Sequence, residues 1–311
     1  MRIANIRRSR HQLTLDPPFP PAWDSAPRHR FDVDLVRVET DDGFVGIGSG
    51  DAMPGFAGHE DLFVGHNPLD LGRHGRIVDN LSFHYGRCWP LEVALWDLAG
   101  KILEQPVWRL LGGAHGGPLA CYASTGTLRS PEATVDAVAA VANAGFPAVK
   151  LRFHRRHWRE DVEVVEAVRA RLGDAVDVMV DCNQAWRMPW DTAAPWTQKE
   201  ALACARELEK LKVFWMEEPL HRGDHAGMAA LRGRTDMRIA GGEMTRETHE
   251  VTHLTDNGAL DVLQQDAVVC GGIGGLAGVF AAARQRGLEI APHTWGNGIG
   301  LLANAHLAAG V

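Results

Sequence analysis

Residues 213–221 read VFWMEEPLH. Its four apolar residues read as a short buried strand, yet the run ends in two adjacent carboxylates and a proline. Buried negative charge at a strand end needs a partner, so the stretch asks what else the chain brings to that level. Adjacent side chains on a strand point to opposite faces. Only one of Glu217 and Glu218 can therefore share a face with inward-pointing residues of neighbouring strands.

Outward from this stretch the pattern repeats. LACYAS (119–124), PAVKLRF (147–153), VDVMVDCN (176–183), MRIAGGE (237–243), LDVLQQD (260–266) and LEIAPHT (288–294) have strand character. Helical stretches such as DVEVVEAVRARLG and KEALACARELEKLK lie between them. Strand and helix in alternation predict a parallel sheet with right-handed crossovers. Seven such units fit, one short of a closed (β/α)₈ barrel, and LLANAHLAAGV reads as the helix after strand seven. A piece carrying an eighth strand is therefore expected to be missing from this sequence.

Before residue 115 the pattern differs. RIANIRRSRHQLTL and FDVDLVRVETDDGFVGIGSGD have strand character, with the DDG as a hairpin turn. The proline-dense DPPFPPAWDSAPRHR between them reads as a surface loop. WPLEVALWDLAGKILEQPVWRLLGG carries Leu91, Ala94, Leu95, Leu98 and Ile102 at helical spacing, and the helix is expected to run to Gly112-Gly113. The boundary is placed near residue 115, giving units at 1–115 and 116–311.

Composition narrows the function classes. The 311 residues carry 45% apolar and 23% charged side chains with a formal charge of −7, ordinary for a globular protein and adverse to nucleic acid or anionic membranes as partners. No apolar run approaches a membrane span, MRIANIRRSRHQL lacks the apolar core of a secretory signal, and the five cysteines form no CxxC pair. A cytoplasmic protein with reduced thiols is expected.

The polar residues that end the strands are in step. Asp181, Glu217-Glu218, Glu243, Asp266 and His293 follow strands three to seven at intervals of 23 to 36 residues, each about one βα unit. In a barrel they would ring one mouth. A single charged strand end is ordinarily a solvated cap; the recurrence is what resists that reading. Like charges so crowded resist ionisation unless a cation holds them, and oxygen ligands without Cys or His suit a hard ion, most commonly Mg²⁺. Glu217 then faces the metal, and Glu218 either supports it from behind or forms a buried salt bridge. Lys150 and Arg152, two apart in PAVKLRF, share a face and can project into the same mouth, as can Asn183 beside Asp181.

Taken in order, VKLR, VMVDCNQAW, FWMEEPL, IAGGE, LQQDAVVCGGIGG and APHTWGNG resemble the enolase superfamily, specifically its mandelate racemase subgroup. The resemblance covers nearly the whole chain. It implies an N-terminal α+β capping domain over a modified, TIM-like (β/α)-barrel, with Mg²⁺ held by Asp181, Glu217 and Glu243. Asp266 and His293 resemble the dyad in which the aspartate orients the imidazole. The substrate implied is a carboxylate whose α-proton is abstracted, and this superfamily is itself a standard example of a Lys or His base working with Mg²⁺. The resemblance also implies a homo-oligomer.

The sequence departs from that pattern at strand two, where the usual second lysine is Arg152. Arginine stays protonated, so it makes a poor base and a good carboxylate clamp. His293 becomes the better proton acceptor and Lys150 a charge stabiliser. The expected reaction is therefore one-base chemistry: dehydration of a sugar acid (aldonate or aldarate) to a 2-keto-3-deoxy acid. A racemase, epimerase or cycloisomerase on the same scaffold, or a non-catalytic small-molecule binder, are the alternatives. The acidic residue that the family usually carries on strand eight has no counterpart here.

Other constellations are weaker. GGIGG (271–275) reads as tight strand-to-helix packing or a phosphate cradle, and HRRHWRED (154–161) as a solvated loop or an anion contact. Arg28-His29-Arg30 is either a surface patch or part of a substrate-selecting cap. Trp186, Trp190, Trp196 and Trp295 fall near strand ends, and Trp295, two beyond His293, is the preferred substrate-wall candidate.

Overall fold

Two sheets of different character organise the protein, seen in a computed structural model that describes residues 1–50, 53–114, 116–295 and 297–311. His115, where the sequence places the boundary, lies outside the described residues. So do Asp51, which ends the second N-terminal strand stretch, and Gly296 of the APHTWGNG motif.

The first sheet is antiparallel, in the order β1 (Ile3–Phe19), β2 (Arg28–Thr40), β3 (Val45–Gly50). The DDG turn joins β2 to β3, with Gly43 at a positive φ of 95°. α1 (Leu71–Tyr85), which sequence reading missed, starts on an Asp70 side-chain cap. α2 (Trp89–Ile102) lies directly on β3. A Cβ at Gly48 would strike the Pro90 carbonyl oxygen, so the glycines of VGIGSG are what allow helix and strand to touch. The helix ends at Ile102 instead of running to Gly112; α3 (Val107–Leu110) is a separate turn. Pro106 is the physical reason, since it lacks an N–H and disfavours helix at the residue before it.

The predicted surface loop is corrected in two ways. β1 runs through the prolines as far as Phe19, and the connection at 20–27 turns inward. Ala22 N–H donates to the Gly126 carbonyl and Trp23 is buried, which ties this loop to the second sheet.

That second sheet is parallel and curled, and its seven strands follow in sequence order. They are β4 (Ala123–Ser124), β5 (Ala148–Arg152), β6 (Asp177–Asp181), β7 (Trp215–Glu217), β8 (Arg238–Gly241), β9 (Val262–Leu263) and β10 (Glu289–Ile290). Between them run α4 (Pro131–Asn143), α5 (Trp158–Leu172), α6 (Gln198–Lys210), α7 (His225–Arg232), α8 (Thr248–Asp256) and α9 (Gly272–Gln285), with α10 (Gly298–Gly310) last. Val149, Val178, Met216, Ile239 and Leu263 face the helices in the main core. Ala148, Met179, Trp215, Ala240 and Val262 form a separate inner layer. Two residues further along three of these strands, the inner face turns from apolar to charged: Lys150, Asp181 and Glu217 stand above Ala148, Met179 and Trp215.

Among the described residues no helix is long and apolar enough to cross a membrane.

Candidate active site

The charged layer is built by strand register. Asp181 and Glu217 are the last residues of adjacent strands and lie opposite each other; Arg152 lies opposite Asp181. Glu243 arrives differently, two residues beyond β8 by way of Gly242. There φ is 100°, and a Cβ would collide with the Gln265 side chain, so only glycine permits this path inward. Asp181, Glu217 and Glu243 are all buried and each offers an oxygen within 4.8 Å of the others.

Two cations already face this triad. Lys150 Nζ donates to Glu217 Oε1 at 2.5 Å and lies 3.7 Å from Asp181 Oδ2. Arg152 Nη1 pairs with that same Asp181 oxygen, while its Nε donates to the Thr125 carbonyl at 2.7 Å. Glu217 Oε2 accepts from Gln264 Nε2 at 2.7 Å and Trp215 Nε1 at 3.2 Å. Burial raises the Asp181 carboxyl above the usual carboxylate range, with Arg152 opposing and Glu217 adding to it. Burial pulls Lys150 down, but Glu217, Tyr122 and Asp181 together leave the ammonium above its ordinary value.

The residues fit a hard divalent ion. Glu243 Oε2, Glu218 Oε2 and both side-chain polar atoms of Asn183 are buried without a hydrogen-bond partner. Buried polar atoms rarely stay unpaired, and an ion with its waters would satisfy such a group. Glu218 is pushed far above its ordinary pKa by burial, and then by Glu243, Asp181 and Glu217. Asn183 and Glu218 both hold left-handed backbone, at φ 48° and 47°. That conformation is uncommon for residues other than glycine and concentrates at functional sites.

Across from the triad stands His293. Its Nδ1 lies 3.1 Å from Asp266 Oδ2, and Nε2 faces Glu243 Oε2 at 3.4 Å. Asp266 also accepts from Trp295 N at 3.1 Å, Val268 N at 3.0 Å and Asn304 Nδ2 at 2.8 Å. An acceptor so surrounded fixes the tautomer: Nδ1 carries the proton and Nε2 presents its lone pair to the site. Burial lowers the imidazole's pKa, but Glu243 and Asp266 together leave it above the ordinary histidine value.

Of these groups Arg152, Glu243 and His293 open onto a cavity of about 150 Å³, which Trp295 also lines, while Lys150, Asp181, Glu217 and Asp266 lie behind that lining. Trp186 also lines it and donates to Glu243 Oε1 at 3.2 Å. Trp190 is 57% exposed, and Trp196 packs against the main core, so neither forms the wall. Sequence reading missed Trp23, Arg87 and Met188, which also line the cavity. Trp23 comes from the inward-turned loop, where no local periodicity marks it. GGIGG opens α9, and its backbone N–H groups receive a side chain of the protein's own, Glu92.

Residues 133–311 match the family model described as Enolase C-terminal domain-like. The chain belongs to the enolase superfamily. It is 30% identical over 283 residues to L-talarate/galactarate dehydratase of Salmonella typhimurium, covering 83% of this chain and 67% of that protein. Arabinonate dehydratase of Saccharolobus solfataricus is 28% identical over 301 residues, covering 90% of this chain and 77% of its own length. L-Talarate dehydratase from Polaromonas sp. JS666, solved in complex with Mg and L-glucarate, superposes with a TM-score of 0.81 at 28% identity. That match covers 99% of this chain and 83% of the other. Racemases and cycloisomerases occur at similar identity. This enolase-superfamily chain takes Mg²⁺ as its cofactor, and its buried acidic triad is positioned to bind the ion.

Proposed function

We propose that the protein is a Mg²⁺-dependent acid-sugar dehydratase in which His293 is the base. The observation that carries this reading is the asymmetry of the mouth. An imidazole whose Nε2 faces the site beside Glu243, with the Asp266 carboxylate behind it, stands on one side. On the other, Arg152 occupies the position where a second base would be needed for racemisation. A guanidinium does not give up its proton near neutral pH, so two-base inversion lacks a partner. The dehydratases of talarate/galactarate and arabinonate among the relatives support the same reaction class.

His293 Nε2 takes the proton α to the substrate carboxylate, and the electron pair left behind moves onto the carboxylate oxygens. Mg²⁺ supplies the charge that offsets this second negative charge. Asp266 holds the imidazolium and stabilises its charge. The β-hydroxyl then departs as water, taking the proton from Nε2, and the resulting enol tautomerises to a 2-keto-3-deoxy acid. Lys150 and Arg152 hold Asp181 and Glu217 in place and supply positive charge beside the substrate carboxylate. Asn183, Glu218 and Trp295 border the reacting groups.

The test is incubation of the protein with Mg²⁺ and a panel of aldonates and aldarates, scored for 2-keto acid and for exchange of the α-hydrogen with solvent deuterium. Keto-acid formation that disappears in His293→Asn is expected. Turnover that survives this substitution removes His293 as the base. Exchange without loss of water favours the isomerase reading, which the racemases and cycloisomerases among the relatives keep in view.

A further inference from the structure

The cavity lining carries a further charged residue that the chemistry above does not use. Of the Arg28-His29-Arg30 triplet at the start of β2, His29 and Arg30 are exposed, and Arg30 pairs with Asp32. Arg28 instead lines the cavity. Its guanidinium lies over the Trp295 ring at 5.3 Å and the Phe31 ring at 6.0 Å. Trp295 is in turn wedged against Phe31 at 5.1 Å and Trp23 at 5.5 Å, so the aromatic faces fix the plane on which the arginine rests. Among the described residues its ion-pair partner is Asp24, with Nε at a loose 3.5 Å from Oδ2.

Charge around the cavity is lopsided. Among the described residues Arg28 and Arg152 bring positive charge to the lining, and the lining carboxylate is Glu243, which belongs to the metal triad. Arg152 is engaged by Asp181. The walls beside Arg28 are Trp23 and Trp295, which offer little to a row of hydroxyl groups. Arg28 is carried by the N-terminal sheet, whereas the triad and His293 are carried by the curled sheet and the segments that follow its strands, so the two sets of charges reach the cavity from different sheets.

We propose that Arg28 is a specificity-determining residue that binds a second carboxylate at the substrate's far end, making a dicarboxylic sugar acid the preferred substrate class. A planar guanidinium held on aromatic faces presents its fork to one planar anion, which suits a carboxylate. The proposal rests on the acid-sugar reading of the same site. The choice between one and two carboxylates is not decided by relatives that act on both kinds of acid.

The experiment separates the two claims. Calorimetric titration of the Mg²⁺-loaded protein with an aldonate and the aldarate of matching stereochemistry reads the subsite, whereas α-deuterium exchange on the same acids reads the chemistry. The aldarate should bind about 10- to 100-fold tighter, the worth of one charge-assisted hydrogen-bonded pair. Arg28→Met keeps the stem on Trp295 and should bring that ratio to about one; Arg28→Lys should recover part of it. Circular dichroism of each variant checks that it folds. Equal affinity for the two acids in the unmodified protein, or a ratio that persists in Arg28→Met, overturns the subsite. Tighter binding of a phosphorylated aldonate than of the aldarate overturns the carboxylate assignment. Absence of exchange on every acid defeats the dehydratase reading while leaving the binding ratio to judge Arg28.

Discussion

Glu92 Oε2 accepts a hydrogen bond from Ile273 N at 2.8 Å, joining two residues 181 positions apart. Oε1 accepts from Gly274 N at 2.9 Å and from Trp96 Nε1 at 2.6 Å. A side chain of α2, packed on the N-terminal sheet, thus caps the first turn of α9 in the curled sheet's unit. The helix N-terminus there is short of acceptors and carries partial positive charge, which a buried carboxylate answers. The glycines of GGIGG make room for it: a Cβ at Gly272 would lie 2.5 Å from Glu92 Oε2.

The latch makes stability depend on pH. Burial pushes the Glu92 carboxyl up to about 7 from 4.5, against the pull of its three donors. A carboxyl whose folded-state pKa lies above its unfolded value binds more protons when folded. Its contribution is therefore fully present below about pH 4.5 and is lost as pH rises through 7. Thermal melting should show Glu92's share of stability falling between these values, by roughly 3 kcal/mol at most. Glu92→Gln should flatten that slope. Glu92→Ala should cost about 2–3 kcal/mol at pH 5 by stranding the α9 N–H groups. A slope that is the same in Glu92→Gln assigns the pH dependence elsewhere.

Gly242 tests the triad without touching a ligand. Any side chain there meets Gln265 in a left-handed backbone that favours glycine, so Gly242→Ala must shift the segment that delivers Glu243. The expected result is Mg²⁺ affinity weakened at least about tenfold, since misplacing one of three carboxylates removes much of its share of ion binding. Calorimetric Mg²⁺ titration beside a melting curve distinguishes this from general unfolding. Affinity equal to the unmodified protein's would show that Glu243 reaches its place without the glycine.

The polar ends of strands three to seven were legible because each βα unit repeats at nearly constant length, so side chains of one role recur at one level. Asp181, Glu217, Glu243, Asp266 and His293 announce themselves in this way. The extents of the strands were not legible: β9 and β10 span two residues each, although the apolar runs are longer. Beyond Asp181 and Glu217 the backbone turns left-handed at Asn183 and Glu218, which hydrophobic pattern does not reveal. Trp23 and Arg28 were harder still. Their meaning comes from Trp295 and Arg152, more than a hundred residues away, and the prolines around Trp23 read locally as an exposed loop.

Asp266→Asn separates orientation of the base from assembly of the site. Asp266 is ringed by donors: His293 Nδ1 and Trp295 N on one oxygen, Val268 N and Asn304 Nδ2 on the other. An amide in its place must aim its NH₂ group at one of these pairs. Aimed at His293, it forces Nδ1 to accept, moves the ring proton to Nε2 and removes the lone pair that takes the substrate's proton. Aimed at Asn304, it faces the Val268 N–H donor-to-donor and opposes the oxygen that remains toward His293. Turnover should fall by about 10⁴-fold, as for other imidazoles deprived of their orienting carboxylate. Asp266 reaches the triad only through His293, which faces Glu243, so Mg²⁺ affinity should fall far less than turnover, by about tenfold at most. Steady-state kinetics and Mg²⁺ calorimetry on the same preparation decide the matter. Near-normal turnover would mean that His293 needs no fixed tautomer, and loss of Mg²⁺ binding would mean that the dyad and the triad form one cooperative unit.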